Sequence, residues 1–347
     1  MTTNNDVPKA ENTTEIGNIV NRQISYNSIG VVIIGRNEGD RLTNCLRSLQ
    51  HTKTRMVYVD SGSTDGSQDN AAKLGADVVV LDPSLPFTAA RARNIGFANL
   101  KKLQPNVKFI QFIDGDCTLD PDWMPAAHKF LIAQPDVAAV CGRRREINPG
   151  ASIYNWLCDI EWSTPIGESQ SCGGDAMFRA APFDASGGYR ESLIAGEEPE
   201  LCIRLRSKGW KIWRIDREMT LHNAAIAKFS QWWRRCKRSG YGTIQVSRLH
   251  AQSRYQIWKR ETARALIYGA VLPAALISGA LYPPLLLAVA IYPLLIVRIA
   301  IRRGAQHLSS WKYALMMTVA KFAEFTGMVN FIINSMRRTQ RSIIEYK

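Results

Sequence analysis

The chain is predicted to be an α/β protein whose mostly parallel sheet carries helices on both faces, followed by α-helical interfacial and membrane segments. Three observations predict this. From residue 28 onward, short β-branched runs alternate with stretches of helical periodicity, the pattern of βαβ units. After about residue 225 aromatic residues mix with cations, as in "FSQWWRRCKRSGYG". Residues 265–297 then carry no charged side chain, a run of 33.

The elements follow in order. Residues 1–27, opening "MTTNNDVPKAENTTEIGN", are polar and read as a disordered tail, and no signal peptide is expected there. "IGVVIIG" is a continuous apolar run, as a strand buried on both faces requires. "DRLTNCLRSLQ" places Leu42, Cys45, Leu46 and Leu49 on one helical stripe. "RMVYVD" is a second strand, "STDGSQDNAAKLG" a capped helix closing at Gly75, and "ADVVVL" a third strand. "TAARARNIGFANLKKL" is a helix and "VKFIQFID" a fourth strand. The α/β domain so defined covers residues 28–225. Ligands of such sheets bind beyond the carboxyl ends of the strands, and Asp60 and Asp114 both stand at such ends.

Residues 226–264 read as basic amphipathic helices at a membrane interface. One helix through the uncharged run would be ~50 Å long, against a hydrocarbon core of about 30 Å. Pro283 and Pro284 interrupt it. Residues 265–300 therefore read as a membrane hairpin or re-entrant pair with its tip at the prolines, the soluble alternative being a buried core helix. Lys259, Arg260 and Arg264 before it, with Arg298, Arg302 and Arg303 after it, assign both flanks to the cytoplasmic side. Residues 311–335 read as an amphipathic or membrane helix, with Lys321 facing Glu324, and residues 336–347 as a basic tail.

The net charge of +14 is unevenly held: residues 204–264 carry 16 Lys/Arg against 3 Asp/Glu, whereas residues 1–203 carry 19 against 25. That asymmetry calls for a polyanionic partner, either a membrane surface or nucleic acid. The basic excess adjoins an apolar run and no nucleic-acid motif is present, which favours membrane lipids. The seven Cys show no CxxC pair and no metal-type spacing, and read as reduced cytoplasmic thiols.

The chemistry-bearing stretch is "IQFIDGDCTLDPDW", where Asp114 and Asp116 project to one side of an extended strand. Gly115 between them lets a ligand approach the backbone. Hard oxygen ligands suit Mg²⁺ or Mn²⁺ bound together with substrate phosphates, though an acidic surface turn would have the same sequence. "IIGRNEGD" and "YVDSGSTDGS" follow strands and precede helices, where small residues admit a nucleotide and backbone N–H groups face phosphate. "ARARNIG" adds cations to the same layer. Ordinary capping and turn chemistry accounts for each of these loops taken alone.

In order, "VVIIGRNEGDRLTNCLRSL", "VDSGSTDGS", "ARNIG", "DGDC", "GGDAMFR" and "GEEPELCIRLRSKGWKI" resemble glycosyltransferase family two, inverting enzymes of GT-A (Rossmann-like) fold. The resemblance covers about residues 28–225 and implies a catalytic domain with a nucleotide-sugar donor across the strand ends. It implies that Asp60 holds the base, with Gly35, Arg36 and Glu38 lining its pocket. Arg91 and Asn94 would lie near ribose and diphosphate, and Asp114 near ribose and metal. Asp116 would be the metal ligand, and Gly173, Gly174 and Asp175 would lie between sugar and acceptor. Glu198, standing where the family has Asp, would be the catalytic base, with Glu197 as its substitute. His222 would complete the metal shell, as a His does in some GT-A enzymes. "QWWRR" resembles the Q-x-x-R-W segment of processive synthases, with Arg235 in place of Trp, and sets Trp232 near the acceptor; an interfacial helix explains the same residues.

The expected function is a metal-dependent, membrane-associated glycosyltransferase at the cytoplasmic face of the cell membrane. It would move a sugar from a nucleotide-sugar, by resemblance a UDP-sugar, to a lipid-linked or glycan acceptor in polysaccharide or glycoconjugate biosynthesis. Transfer to a polyprenyl phosphate is the close variant, and a silent nucleotide-sugar-binding membrane scaffold the non-enzymatic alternative.

Overall fold

The computed structural model describes residues 26–337. The tail expected at residues 1–27 and the basic stretch at 336–347 therefore lie, but for two residues each, outside the described residues. The first half follows the βαβ pattern: β1 (Ile29–Gly35), α1 (Asp40–Leu49), β2 (Arg55–Asp60), α2 (Ser67–Lys73), β3 (Asp77–Val80), α3 (Ala89–Leu103) and β4 (Phe109–Asp114). Every residue of β1 but Gly35 is buried, which is why its sequence shows no alternation. β1 lies between β2 and β4 and is parallel to both, with β3 parallel on the outer side of β2. Gly35 pairs with Asp60 and Ile34 with Asp114. The chain reverses its progress across the sheet between β1 and β4, so their carboxyl ends border a ready-made crevice. α3 can close down on this sheet because of Gly96, where a Cβ would strike Val32 and Val59.

The remaining domain elements are β5 (Cys117–Leu119), α4 (Trp123–Ala133), β6 (Val137–Glu146), α5 (Ile153–Glu161), β7 (Gly167–Ser169), β8 (Ala176–Arg179), α6 (Ala180–Ala185), α7 (Glu197–Ser207) and β9 (Lys211–His222). They complete a mixed nine-stranded sheet in which only the β1–β4 half is wholly parallel. β8 is antiparallel to both β4 and β6, β6 runs parallel to β9, and β5 and β7 pair antiparallel with β9. The sheet was expected to be mostly parallel; its unbroken parallel run spans β3 to β4, and beyond β4 only the β6–β9 pair is parallel. β5 and β7 have three residues and β8 four, and each pairs antiparallel with strands distant in sequence: β5 and β7 with β9, β8 with β4 and β6.

Four helices follow: α8 (Phe229–Leu249), α9 (Lys259–Gly279), α10 (Ile291–Arg303) and α11 (Leu308–Arg337), with a 3₁₀ turn at Pro283–Ala290 between α9 and α10. α8 docks on the domain: Trp232 and Cys236 pack with Leu157 and Cys158 of α5, and with Ala320 and Ala323 of α11. α8 and α11 cross backbone to backbone, since a Cβ on Gly240 would run into the main chain of Glu324 and one on Gly327 into that of Lys237. α9 and α10 form a hairpin turning at the prolines. Tyr292 ties its two arms, donating to the Tyr268 carbonyl (2.6 Å) and accepting from the Leu272 N–H (2.9 Å). Ile277, Leu281, Leu287 and Leu294 project from it uncovered. Three segments, Lys259–Gly279, Pro283–Arg303 and Leu308–Arg337, are long and apolar enough to cross a membrane.

Candidate active site

One cavity of about 920 Å³ lies over the carboxyl ends of β1 and β4. Its first wall is built from strand-end loops. Asn37 accepts from the Thr64 N–H (2.8 Å) and Gly39 donates to Asp65 (3.0 Å), so the loops after β1 and β2 are laced together. Gly35, Arg36 and Glu38 line the cavity from this loop; Glu38 pairs with Arg41 at 2.8 Å and Arg36 lies over the Phe87 ring. Asp60 does not reach it. Fully buried, its carboxylate accepts from the N–H groups of Gly62 and Ser63, from Gln68 and from the Tyr58 hydroxyl, all at 2.8–3.0 Å. It shapes the loop that presents Ser61 to the cavity instead.

Asp114, Gly115 and Asp116 line the floor. Asp114 accepts from Arg93 at 2.7 Å and from Arg144 at 3.2 Å. Burial alone would raise its carboxyl, but these two guanidinium groups outweigh it and hold the group well below the ordinary carboxylate range. Asp116 faces His222, because β5 pairs Cys117 directly with His222 on β9. His222 Nε2 stands 3.4 Å from the Asp116 carboxylate, and its ring packs edge-on against Trp162. Burial lowers the affinity of His222 for its second proton, so the imidazole is neutral near pH 7 and free to act as a ligand. Its Nδ1 is buried without a hydrogen bond. The Asp116 carboxylate and the neutral His222 imidazole lie within 4.8 Å of each other, with the Cys117 thiol beside them, on the floor of this cavity, and the carboxylate and imidazole fit a divalent Mn²⁺- or Mg²⁺-type cation.

Several expected contacts are redistributed. Arg91 turns away from the cavity and donates to the carbonyls of Asp82 and Leu85 at 3.0 Å, clasping that loop. Asn94 is likewise taken up by the backbone of Tyr189, donating to its carbonyl and accepting from its N–H at 2.8 Å. The cation that enters the site is Arg93, which bridges Asp114 and Glu197 (2.8 Å). Two residues along a helix are ~200° apart, so Arg91 and Arg93 cannot share a face. "ARNIG" contained the signal, since Arg93 is the arginine inside it. Of the Gly-Gly-Asp segment only Gly174 lines the cavity, and Gly173 does not. Asp175 is fully buried, where it accepts from Arg144 Nε and the Thr220 hydroxyl (both 2.9 Å) and from the Asp114 N–H (3.0 Å).

The same rotation separates the two acids that open α7. Glu197 lines the cavity, whereas Glu198 points inward and accepts from the Cys172 N–H at 2.6 Å and the Cys202 thiol at 2.9 Å. Burial pushes the Glu198 carboxyl upward. Neighbouring residues on a helix diverge by ~100°, and Glu198, which the resemblance makes the expected base, is the one turned away.

The second wall comes from α5, α8 and α11. Trp232 lines it, buried and stacked on Tyr154, with Leu157, Tyr313, Met317 and Ala320 beside it. Arg235 reaches across to Glu161 with two 2.8 Å bonds, and Arg238 and Glu324 also face the space. The cavity thus joins a charged floor suited to a cation and a diphosphate with an apolar wall made partly by a membrane-length helix.

Residues 30–182 match the family model described as Glycosyl transferase family 2. The succinoglycan biosynthesis protein ExoA of Rhizobium meliloti (strain 1021) is 24% identical over 244 residues, 63% of this chain and 69% of that protein. The O-antigen chain rhamnosyltransferase WbaN of Salmonella anatum is 25% identical over 173 residues, 46% of this chain and 53% of that one, so the chain spans about half of that relative. Among solved structures, the mannosyltransferase PcManGT from Pyrobaculum calidifontis, in complex with GDP-Man and Mn²⁺, superposes with a TM-score of 0.61. The overlay covers 88% of this chain and 87% of that one at 18% identity, a likeness of fold, and that fold is GT-A-like.

Proposed function

We propose that this chain, whose residues 30–182 match the glycosyl transferase family 2 model, carries out an inverting, membrane-associated sugar transfer from a nucleotide-sugar to a lipid-linked or glycan acceptor. The observation that carries this reading is the meeting of Asp114, Asp116, His222 and Glu197 in one cavity at the strand ends. Asp116 and His222 would hold a divalent cation, with Asp114 beside the ribose. When bound, that cation screens the charge that develops on the departing diphosphate. Arg93 and Arg144 add fixed positive charge on the same side. Glu197 takes the proton from the acceptor hydroxyl as its oxygen bonds to the anomeric carbon. The bond from that carbon to the diphosphate oxygen breaks, and the nucleoside diphosphate leaves with the electron pair on the opposite face. The apolar wall of Trp232, Tyr313, Met317 and Ala320 offers the acceptor a path beside the membrane segments. The basic flanks of the α9–α10 hairpin favour the cytoplasmic face.

A polyprenyl phosphate acceptor is the second reading, favoured by Arg235 and Arg238 in the same cavity. Such an acceptor is already ionised and needs no base, so Glu197→Gln would then leave turnover intact. The test of the main reading is nucleotide release across a panel of sugar donors, in Mn²⁺, Mg²⁺ or chelator, with membrane extract as acceptor. Release with one donor, abolished by chelator, supports it. No release with any donor removes the enzyme reading.

A further inference from the structure

We propose that Cys172, Glu198 and Cys202 form a second metal site, separate from the catalytic floor, that takes a soft tetrahedral divalent cation of the zinc class. The three side chains come from two segments: Cys172 from the loop before β8, and Glu198 and Cys202 from α7, where they stand one turn apart on the same face. All three are buried, and their ligand atoms lie within 4.8 Å of one another. The two sulfurs are 3.8 Å apart. Two thiolates at about 2.3 Å from one tetrahedral zinc lie about 3.8 Å apart. Glu198 Oε1 is 3.2 Å from one sulfur and 2.9 Å from the other, closer than a loaded site requires, so the carboxylate backs away by about half an ångström on loading.

The charge balance points the same way. Among the described residues no Lys, Arg or His pairs with Glu198, whose partners are the two thiols and the backbone N–H groups of Cys172 and Gly173. A buried carboxylate without a cation is costly and either stays protonated or acquires one. A divalent cation bound by the two deprotonated sulfurs and the carboxylate satisfies the three groups at once. The site would clamp the loop carrying Gly174 to the helix start carrying Glu197, both of which line the cavity.

The test needs no sugar substrate, so its failure is distinct from failure of the transferase reading. Full-length protein purified from zinc-supplemented cells without chelator is expected to retain one zinc per chain by elemental analysis. Cobalt exchanged into it should give thiolate-to-cobalt charge-transfer absorption in the near ultraviolet. Cys172→Ser and Cys202→Ser should each abolish that absorption, while Asp116→Asn, on the catalytic floor, should keep it. Wild-type protein that retains no zinc and gives no charge-transfer band overturns the proposal. So does a band that survives Cys202→Ser and disappears with Asp116→Asn. The first outcome is read on the folded wild type and the second requires a band that persists, so the loss of signal in a misfolded cysteine variant cannot hide the answer.

Discussion

Glu197→Gln separates the acid that faces the cavity from the acid that the family pattern would select. Gln keeps the side chain's length and can still accept from Arg93 Nη1, 2.8 Å away, so the change removes basicity with little change of shape. A positioned general base contributes about 10²–10⁴-fold, or about 3–5 kcal/mol of barrier. kcat is expected to fall by that factor while the donor KM stays within about threefold, because in the proposed mechanism Glu197 acts on the acceptor proton rather than on donor binding. Glu198→Gln is the comparison: it alters a group buried against Cys172 and Cys202, and its cost in kcat should lie below about 10²-fold, the low end of general-base effects. Initial rates of nucleoside diphosphate release, with the donor identified from the panel, measure both. A severe loss in Glu198→Gln with near-normal turnover in Glu197→Gln would refute the assignment, since the inward side chain would then be the one that works.

Arg93→Met leaves Asp114 and Glu197 without their shared cation, and breaking such a buried pair costs about 3–5 kcal/mol. Thermal unfolding in detergent should show the loss, and added Mn²⁺ should recover more of it than in wild type, because the divalent cation takes over part of the neutralisation. Gly240→Ala and Gly327→Ala should each destabilise by about 1–3 kcal/mol, the range for overpacking, as the α8–α11 crossing is forced apart. Transfer to the acceptor should fall further than hydrolysis of the donor in both. Burial against Phe109 lowers His128 below its ordinary 6.5, so the folded state favours the neutral ring. Its stabilising contribution is present above about pH 6.5 and lost as pH falls through the folded value, at no more than about 1.4 kcal/mol per pH unit. His128→Phe should flatten that part of the stability profile, and an unchanged slope would remove His128 as its source.

The parallel half of the sheet was legible because strands buried on both faces leave unbroken apolar runs, and Asp60 and Asp114 could be set at strand ends from those runs alone. β5, β7 and β8 are too short to show any period, so the switch to antiparallel pairing left no trace in the pattern. The site was legible to within a helical rotation. "ARARNIG" offers arginines at 91 and 93, and "GEEPEL" acids at 197 and 198, and which of each pair faces inward depends on packing against distant segments. Asp60 and Asp175 were placed in the right neighbourhood, yet their carboxylates serve the backbone and Arg144 rather than the open space. The hairpin at Pro283 and Pro284 was readable from charge and proline. The α11 wall was not, because the glycines that admit it, Gly240 and Gly327, lie 87 residues apart in sequence.

α11 supplies Tyr313, Met317, Ala320 and Glu324 to the cavity, so the cavity is built from more of the chain than residues 30–182, which match the family model. A soluble fragment cut after β9 would keep the charged floor, with Asp114, Asp116, Glu197 and His222 all present, but would open its far side to bulk water. Water would then compete with the acceptor at the anomeric carbon, and the fragment would act as a sugar-nucleotide hydrolase. On the proposed function, α11 would shield the reacting carbon from water as well as lie beside the bilayer. Fidelity to the acceptor and attachment to the bilayer would then be one property.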